Sequence, residues 1–398
     1  MRIVDFHRGR LRRAAWIVTL LAAGIGAAAA AASSGQLTTL HVFAARDGAD
    51  PVAPLAQDAA GNFYGVAQLG GNIGRGMPHG CGVVYRMRPD GGVDLLHQFV
   101  QTDGCRPDGG VQLAADGNLY GTTLYGGSAD KGVFFRIAPD GAFAVLHTFG
   151  GAEGGYPQSA LALGRDGNFY GVLPAGGSAA AGCVYRLAPD GTLTVLHSFS
   201  ADGAHGNSPA GTPVLAEDGS LFGTTQGGGE FGDGTVFHLG LDGSVTTLHA
   251  FDGDDGQFPQ ALMLARDHML YGVALYGGAW NLGTAFTLTQ RGDLELVHSF
   301  DGADDGCHPF VQPVEAAGGE VFGAASECGP KGGGTIFALS LARGLATVHA
   351  FADRDAHGFM PSGLATGRDG ALYGTTEGGG SHQNHGSGWG TIFRLALP

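Results

Sequence analysis

Short runs of residues in which apolar and polar positions alternate recur along most of the chain, separated by turns rich in Gly, Asp and Pro. In one such stretch the runs are 159–164, 168–172, 182–187 and 192–199. Asp166-Gly167 separates the first two runs, and Pro189–Gly191 separates the last two, which alternate with period two. Asp-Gly pairs favour hairpins, because both central residues of a type I′ turn need positive φ. The pattern predicts four short antiparallel strands joined by tight turns.

This four-strand unit recurs seven times at a spacing of 49 to 56 residues. An aromatic residue followed by Gly anchors each unit. The anchors are Tyr64, Tyr120, Tyr170, Phe222, Tyr271, Phe322 and Tyr373. Three further marks keep the same register: a proline 12 or 13 residues before each anchor, a Gly-x-x-aromatic motif after it, and a Leu/Val-His-x-Phe motif. A regular period of this length is the signature of a repeat architecture.

The two ends of the repeat region complement each other. The region begins with a spare fourth strand, 37–43, and ends with a third strand, 390–397, so the last unit lacks its outer strand. Four antiparallel strands in about 50 residues are typical of a propeller blade, and pairing the ends would remove the open sheet edge. We predict an all-β, seven-bladed β-propeller over 37–398, closed by strand 37–43 in the last blade. Another all-β repeat fold, such as a linear solenoid, is the alternative.

The repeats resemble those of the GloVer tandem-repeat proteins. The motifs that carry the resemblance are Asp-Gly-x-Leu-Tyr-Gly-Thr-Thr, Gly-Thr-Val-Phe-x-Leu and Leu-His-x-Phe. The closest matches are at 117–123, 219–225, 370–376, 234–239, 334–339 and 390–395. The resemblance implies an exported bacterial protein and no particular activity. Family members often carry a C-terminal surface anchor, whereas this chain stops at Pro398 after a strand, so we expect it to be released.

Residues 1–32 differ from the repeats. Five Arg within 2–13 precede an apolar run from Ala14 to Ala32. A basic start, an apolar middle and small residues at the end are typical of a secretory signal peptide. The alternative is an uncleaved anchor, since about 19 apolar residues just span a bilayer. We predict cleavage and a periplasmic or extracellular location.

Composition and charge narrow the class of protein. The 75 Gly among 398 residues argue against a long helical bundle, since Gly costs about 1 kcal/mol at a helical position. Removing 1–32, which holds five Arg and one Asp, takes the net charge from −15 to −19. So acidic a chain is repelled by nucleic acid and by anionic membranes. We therefore expect neither nucleic acid nor a membrane as a partner. We expect a monomer, and the sequence does not identify whether its partner is a small ligand, a glycan or a protein.

Seven histidines of the Leu/Val-His-x-Phe motif are the most conspicuous polar residues. They are His41, His97, His147, His197, His249, His298 and His349. His and Phe two residues apart share one strand face, and outer strands hold the seven sites far apart. We therefore assign these histidines to packing between blades, as we do the aromatic anchors. A ring of metal or proton sites is the functional alternative.

Five cysteines in an exported protein invite disulfide pairing. Connections from a fourth strand to the next first strand leave a propeller on the same face as the loops between second and third strands. Cys105 and Cys307 lie in the former, and Cys81 and Cys328 lie in or beside the latter. We predict disulfides Cys81–Cys105 and Cys307–Cys328, with Cys183 a buried free thiol. The alternative is that all five are reduced or pair otherwise.

Acidic turns form another candidate set. They comprise Asp252, Asp254 and Asp255, and also Asp301, Asp304 and Asp305. Clustered carboxylates on Gly-rich loops can bind Ca²⁺, but neither set has the ligand spacing of an EF-hand. We expect solvated turns and no cofactor, with Ca²⁺ as the alternative.

The loops between second and third strands vary most while the frame stays constant. Variable loops on a rigid scaffold commonly carry binding, and neutral drift is the alternative. The predicted binding residues are Tyr125, Phe231, Tyr276, Trp280, Asn281, His382, His385 and Trp389. Both Trp side chains offer flat surfaces on which a sugar could stack. His382 and His385 supply two possible metal ligands without a third, so we predict no metal site.

Linear catalytic motifs are absent: there is no Gly-x-Ser-x-Gly elbow, no His-Glu-x-x-His and no phosphate loop. The first strands also offer the channel mostly Ala, Gly, Leu, Val, Gln and Ser. We therefore predict a secreted, non-catalytic propeller that binds a ligand or partner through one loop-rich face. The alternatives are an exported hydrolase or lyase acting on polysaccharide or a small metabolite, and a structural module of a cell-surface or matrix assembly. Two or more ionisable residues with perturbed pKa at the channel mouth would favour an enzyme.

Overall fold

Seven four-stranded antiparallel sheets make up the structure, a computed structural model that describes residues 35–74, 79–380 and 388–397. The predicted signal segment 1–32 lies outside the described residues, as do His382 and His385. The described residues contain no α-helix, and hence none with the length and apolarity to cross a membrane. The predicted all-β, seven-bladed β-propeller is confirmed.

The strands follow the repeats in chain order. The first strand, β1 (Leu37–Val42), belongs to the last blade. Blade 1 comprises β2 (Ala49–Gln57), β3 (Phe63–Leu69), β4 (Val83–Met87) and β5 (Val93–Gln98). Blade 2 comprises β6 (Val111–Leu113), β7 (Leu119–Thr122), β8 (Val133–Ile137) and β9 (Phe143–Thr148). Blade 3 comprises β10 (Ala162–Leu163), β11 (Phe169–Leu173), β12 (Cys183–Leu187) and β13 (Leu193–Ser198).

The remaining blades repeat this order. Blade 4 comprises β14 (Asn207–Leu215), β15 (Leu221–Gly227), β16 (Thr235–Leu239) and β17 (Val245–Ala250). Blade 5 comprises β18 (Gln257–Leu264), β19 (Leu270–Tyr276), β20 (Thr284–Leu288) and β21 (Leu294–Ser299). Blade 6 comprises β22 (Val314–Glu315), β23 (Val321–Ala325), β24 (Gly332–Ser340) and β25 (Gly344–Ala352). Blade 7 comprises β26 (Phe359–Thr366), β27 (Leu372–Gly378), β28 (Thr391–Leu395) and β1.

The last sheet combines both ends of the described chain. Strand β1 pairs antiparallel with β28, with Leu37 opposite Leu395 and Val42 opposite Thr391. At the inner side of the same sheet, β26 contacts β2 of blade 1. Blade 7 thus has its four strands, and its first strand lies against the first blade.

A glycine and a proline join each blade to the next. The Gly before each third strand has positive φ, and a Cβ on it would lie 2.2–3.0 Å from the proline Cδ of the following blade. The seven pairs are Gly82–Pro107, Gly132–Pro157, Gly182–Pro209, Gly234–Pro259, Gly283–Pro309, Gly334–Pro361 and Gly390–Pro51. Only a residue without a side chain allows the pyrrolidine ring to approach so closely. This contact explains why both residues recur in every unit.

The aromatic anchor and its glycine serve two different contacts. Gly171 lies opposite Tyr185, and a Cβ on Gly171 would be 2.4 Å from the Tyr185 hydroxyl oxygen. The Tyr170 hydroxyl donates to the carboxylate of Asp166, in the turn before its strand, at 2.8 Å. The four other Tyr anchors make the same bond at 2.8–3.1 Å. The glycine therefore makes room for the third strand, while the tyrosine fastens the turn.

The innermost strands are less regular than the sequence pattern predicts. The run 159–164 forms only β10, and β22 is equally short. In blade 3, β10 pairs with the second strand, and beyond it the pairing continues as an isolated bridge between Gly155 and Ala175. Pro157 lies between this bridge and β10, and its nitrogen has no hydrogen to donate to the ladder. The residues in the gap face the central channel instead.

Candidate functional site at the channel mouth

The residue before each repeated proline lies at the start of the innermost strand and has a left-handed backbone. Its φ is between +51° and +64° in all seven blades, although residues before proline favour extended backbone. These seven rim residues are Asp50, Arg106, Tyr156, Ser208, Phe258, His308 and Met360. Such conformations cost about 1–3 kcal/mol each and persist only where surrounding contacts hold them. The frame thus presents a different side chain in every blade from one backbone geometry.

Hydrogen bonds from the preceding blade hold these backbones. The Arg106 amide donates to the Cys81 carbonyl at 2.9 Å, and the Asp50 amide donates to the Trp389 carbonyl at 3.1 Å. Equivalent bonds of 2.8–3.0 Å start from the amides of Tyr156, Ser208, Phe258 and His308. Each acceptor directly precedes the glycine that packs on the proline. The rim is therefore built into the joints between blades.

The residue after each proline faces a central cavity. This cavity has an empty volume of about 1050 Å³, part of it open solvent, and all seven blades contribute to its wall. The wall residues that follow the prolines are Val52, Asp108, Gln158, Ala210, Gln260, Phe310 and Ser362. Gln68 and Gln226 add amides from the ends of second strands. The wall combines several amides, one carboxyl and one exposed aromatic ring.

Arg106 lies between an amide and a carboxyl of this site. Its guanidinium donates two hydrogen bonds to Gln68 Oε1, the one from Nε at 3.0 Å. The same Nε is 3.9 Å from Asp108 Oδ1, a buried oxygen that accepts no hydrogen bond within the described residues. Burial raises the pKa of Asp108 to about 6, and the charge of Arg106 opposes part of this shift. Asp108 therefore changes its charge near neutral pH.

Glu377 occupies in β27 the position that Gln68 occupies in β3, four residues after the anchor. It is half-buried, and no hydrogen bond or ion pair joins it to another residue of the described ranges. Burial raises the pKa of Glu377 to about 7, with a further rise from neighbouring carboxylates and an opposing effect from Arg106. These carboxylates are Asp50, Asp108 and Glu327. Carboxyls from blades 1, 2, 6 and 7 thus share one electrostatic neighbourhood.

Two of these carboxyls, Asp108 and Glu377, have pKa values of about 6 and about 7. The sequence predicts first strands that offer the channel mostly Ala, Gly, Leu, Val, Gln and Ser, and Asp108 is the single carboxyl among the described residues that line the cavity. Asp108 directly follows a proline, where the sequence suggests a connection rather than a wall, and Glu377 comes from a second strand rather than a first. A general acid or base works best when its pKa lies near the working pH.

Aromatic side chains form two arcs on the rim. The Arg106 guanidinium lies 6.0 Å from the centre of the Tyr125 ring, which meets Tyr156 edge-on at 5.7 Å. On the other side, Tyr276 contacts Phe258 at 5.9 Å and His308 at 5.3 Å between ring centroids. Between the arcs, blades 3 and 4 place small residues at the rim position of blade 4 and at the positions equivalent to Tyr125 and Tyr276. These are Ala175, Ser208 and Gly227.

Both predicted disulfides are confirmed, and each adjoins a polar rim residue. Cys81–Cys105 has a Cα–Cα distance of 4.4 Å, and Cys307–Cys328 has one of 5.4 Å. Cys105 precedes Arg106 in the chain, and Cys307 precedes His308. His308 Nδ1 lies 3.2 Å from Glu327 Oε2. Two disulfides indicate a compartment more oxidising than the cytosol.

The remaining cysteine, Cys183, is buried and unpaired, as expected. Burial raises the pKa of its thiol to about 12. The thiol is therefore protonated at neutral pH and packs as a small apolar side chain.

The predicted loop residues separate into two groups. Tyr125 and Tyr276 belong to the rim arcs, whereas Phe231 and Trp280 stand exposed by 57% and 66% on loops away from the cavity wall. The Asn281 side chain accepts a hydrogen bond from the Gly277 amide at 3.0 Å and shapes its own loop. Trp389 is half-buried against the core between blades 7 and 1. Among these described residues, the two tyrosines contact rim residues, and a role in binding stays a prediction for all of the predicted loop residues.

The seven fourth-strand histidines pack within the frame. Each meets the Phe two residues later edge-on, with ring centroids 4.7–5.2 Å apart. In five blades the His Nε2 lies 2.6–3.5 Å from a carboxylate in the connection to the next blade. The pairs are His41–Asp47, His97–Asp103, His147–Glu153, His249–Asp255 and His298–Asp305. Burial lowers the pKa of the other two, His197 and His349. Packing between blades stays a prediction for these histidines.

The acidic turns use their carboxylates within the turn. Asp252 Oδ1 accepts the amides of Asp254 and Asp255 at 3.1 and 3.3 Å. Asp305 accepts the amides of Asp301 and Gly302 at 3.0–3.3 Å. Asp255 and Asp305 also pair with a fourth-strand histidine. Contacts within the propeller fold therefore account for these acids.

One group of described side chains has the spacing of a metal site. The potential ligand atoms of Cys307, His308 and Glu327 lie within 4.8 Å of one another. The Cys307 sulfur, however, is bonded to Cys328. A disulfide sulfur is not a thiolate ligand, so two ligands remain.

The sequence reasoning missed Arg106, Asp108, Phe310 and Glu377. It searched for variation in the long loops, whereas these residues vary at fixed positions of the frame. Residues on both sides of the invariant proline, and the fourth residue after each anchor, differ from blade to blade. Variation from blade to blade at a fixed position, such as those beside the invariant proline, is the sequence signal that could have identified these residues.

Comparison with known families and structures places this fold. The family model described as Gloeobacter/Verrucomicrobia repeat matches residues 74–286 and 242–398. The chain belongs to this family. The GloVer resemblance carried by the repeat motifs is thereby confirmed. A comparison with curated proteins returns no match.

Solved propellers share the architecture of this GloVer protein at low identity. A streptogramin B lyase superposes with a TM-score of 0.62 and 12% identity over 91% of this chain and 98% of that chain. The virginiamycin B lyase from Staphylococcus aureus gives 0.61 and 14% over 91% and 99%. The extracellular domain of BT4673 from B. thetaiotaomicron gives 0.58 and 8% over 90% of this chain and 39% of that chain. At these identities the likeness shows the fold alone.

Proposed function

We propose that this protein binds a small polar molecule at the mouth of its central channel. One observation carries the proposal: the half-buried carboxyl of Asp108 lines a cavity to which every blade contributes, with Arg106 3.9 Å away and the half-buried Glu377 in the same electrostatic neighbourhood. Keeping charged groups poorly solvated costs free energy. Frame contacts explain the recurring His, Tyr and Asp residues, but no frame contact accounts for Glu377. A ligand that hydrogen-bonds these carboxyls would offset that cost.

Proton transfer to or from the bound molecule is the second candidate function. It is favoured by pKa values of about 6 and about 7 for Asp108 and Glu377, because both protonation states are then populated at neutral pH. Arg106 would hold a developing negative charge on the substrate. In this form the protein is an exported hydrolase or lyase, the alternative to a binding scaffold. The arrangement of two acids beside a fixed cation supports it.

Export is part of the proposal. The basic and apolar segment 1–32 has the composition of a signal peptide, and two disulfides fit an oxidising compartment. Mass spectrometry of the secreted protein would test it. A mature N-terminus close to residue 33 agrees with cleavage, and a retained Met1 contradicts it.

Ligand screening by thermal shift tests the binding proposal. A library of neutral and charged polar metabolites would be compared on wild type, Glu377→Gln, Asp108→Asn and Glu217→Gln. Glu217 is an exposed carboxylate in a turn between a first and a second strand, on the opposite face, so it is the matched control. We expect a ligand whose shift is lost in the first two variants and kept in the control. Equal shifts in all three variants would contradict a site at the channel mouth.

A further inference from the structure

Phe310 is an exposed aromatic ring inside an otherwise polar cavity. It follows Pro309 in blade 6, lines the cavity, and is 37% exposed. The third-strand aromatics, by contrast, are fully buried, and five of the seven anchors are buried as well. Packing between strands or blades does not account for the Phe310 ring, because the ring faces solvent in the channel. Its flat apolar face is suited to a flat apolar face of a ligand.

The amides around the same cavity present both donors and acceptors. Gln158 is exposed, and no hydrogen bond joins it to another residue in the described ranges. The Gln260 oxygen receives the Gln226 amide at 3.3 Å, which leaves the Gln260 NH₂ group as a donor. The Gln312 NH₂ donates to the Leu262 carbonyl at 2.8 Å, which leaves the Gln312 oxygen as an acceptor. Hydroxyl groups, each both donor and acceptor, match such a mixed set.

The charged groups lie away from the aromatic ring. Asp108 is on blade 2 and Phe310 on blade 6, so three blades lie between them one way round the ring and two the other way. A ligand seated on Phe310 therefore directs its far edge to Asp108. The electrostatic neighbourhood contains four carboxyls against Arg106, and the chain carries a net charge of −15. This balance disfavours an anionic ligand.

Small residues occupy one side of the channel mouth. They are Ala175 of blade 3 and Ser208 and Gly227 of blade 4, and the exposed rings of Tyr156 and Phe258 lie on either side of them. A ligand longer than the cavity can leave over these small residues with an aromatic ring on either side.

Together these features indicate a class of ligand. The inference that follows rests on the proposed function. We infer that the channel mouth binds the terminal sugar of an uncharged oligosaccharide, with a pyranose ring on Phe310, its hydroxyls on Gln158 and Gln260, and the following units leaving between Tyr156 and Phe258. The C–H face of a pyranose supplies the apolar surface, and its hydroxyls match the amides. Uronic-acid oligomers are excluded by charge.

Titration calorimetry tests this inference on the purified protein. The probes are gluco-, manno-, galacto- and chito-oligosaccharides of one to four units, with oligogalacturonate as the acidic comparison. We expect one neutral series to bind, with affinity rising from one unit to three, and oligogalacturonate not to bind.

Variants locate the site. Phe310→Ala should weaken binding at least tenfold, Gln158→Ala should weaken it severalfold, and Tyr156→Ala should weaken the trimer but not the monosaccharide. Phe231→Ala removes an aromatic ring exposed by 57% on a loop and should change nothing. Because Phe310 and Gln158 are both exposed, these variants should keep the wild-type melting temperature, which is measured alongside.

The outcomes separate this inference from the function on which it rests. If no neutral sugar binds but another polar molecule binds in a Glu377-dependent way, the sugar assignment fails and the proposed function stands. If Phe310→Ala and Phe231→Ala change the affinity for a sugar equally, the proposed stacking of the sugar on Phe310 is wrong. If nothing binds in a Glu377-dependent way, the proposed function fails as well.

Discussion

Gly390 of the last blade packs against the pyrrolidine ring of Pro51 in the first. A Cβ on Gly390 would lie 2.3 Å from Pro51 Cδ, and its φ is +91°. The same joint occurs between every pair of consecutive blades. In six of these joints a backbone hydrogen bond also holds the rim residue, as the Trp389 carbonyl does for Asp50. The contact that keeps the blades together therefore also sets the geometry of the channel mouth.

The first prediction concerns this joint. Gly390→Ala should lower the free energy of unfolding by about 3 kcal/mol, because the methyl group both strains the backbone and displaces the proline. Gly370→Ala is the matched control: its φ is +79°, but nothing lies within 4 Å of an added Cβ. The control should lose about 1 kcal/mol, the cost of the left-handed backbone alone. Chemical denaturation measures both, and equal losses would show that the proline contact is unimportant.

A second prediction compares two tyrosine hydroxyls within blade 3. Tyr170→Phe removes a hydroxyl that donates to Asp166 at 2.8 Å and should cost about 1 kcal/mol. Tyr185→Phe removes a buried hydroxyl that has no partner among the described residues. Since Phe occupies the Tyr185 position in most other blades, this change should be neutral or stabilising. A larger loss for Tyr185→Phe than for Tyr170→Phe would contradict the contacts described here.

A third prediction follows from the raised pKa of Glu377. The folded protein holds this proton up to about pH 7, whereas the unfolded chain releases it near the ordinary value of 4.5. The stability linked to the proton is therefore fully present below pH 4.5 and is lost as the pH rises through 7. Relative to Glu377→Gln, wild type should lose about 3 kcal/mol across this window. Denaturation curves at several pH values measure the difference, and parallel profiles would show that Glu377 is not desolvated.

A fourth prediction concerns the cysteines. Under denaturing, non-reducing conditions a thiol reagent should detect one thiol per chain, that of Cys183, since the other four cysteines are paired. In the native protein it should react slowly, because the thiol is buried and the pKa of Cys183 is about 12. Cys81→Ala with Cys105→Ala should cost about 3 kcal/mol of stability, the value for a loop of this length. Five reactive thiols in the denatured chain would refute the pairing.

The number of blades, the strand order and both disulfides were accessible from the sequence because the repeats are redundant. Each turn, anchor and proline recurs in every unit, so one misplaced boundary does not alter the register. The run 159–164 was wrong as a continuous strand, but the blade remained correctly placed. Cys81 and Cys105 could be paired because a propeller sends both connections to the same face.

The channel mouth was not accessible in this way. Asp108 and Glu377 stand at different positions of their repeats, in blades 2 and 7, and neither position is repeated as an acid elsewhere. Burial raises the pKa of both groups, and the charge of Asp108 contributes to the raised pKa of Glu377. Both effects depend on how the ring brings distant segments together. The sequence by itself determined the frame, because frame contacts are local and recur in every blade. Only the tertiary structure decided the chemistry of the site, because that chemistry arises where seven different blades meet.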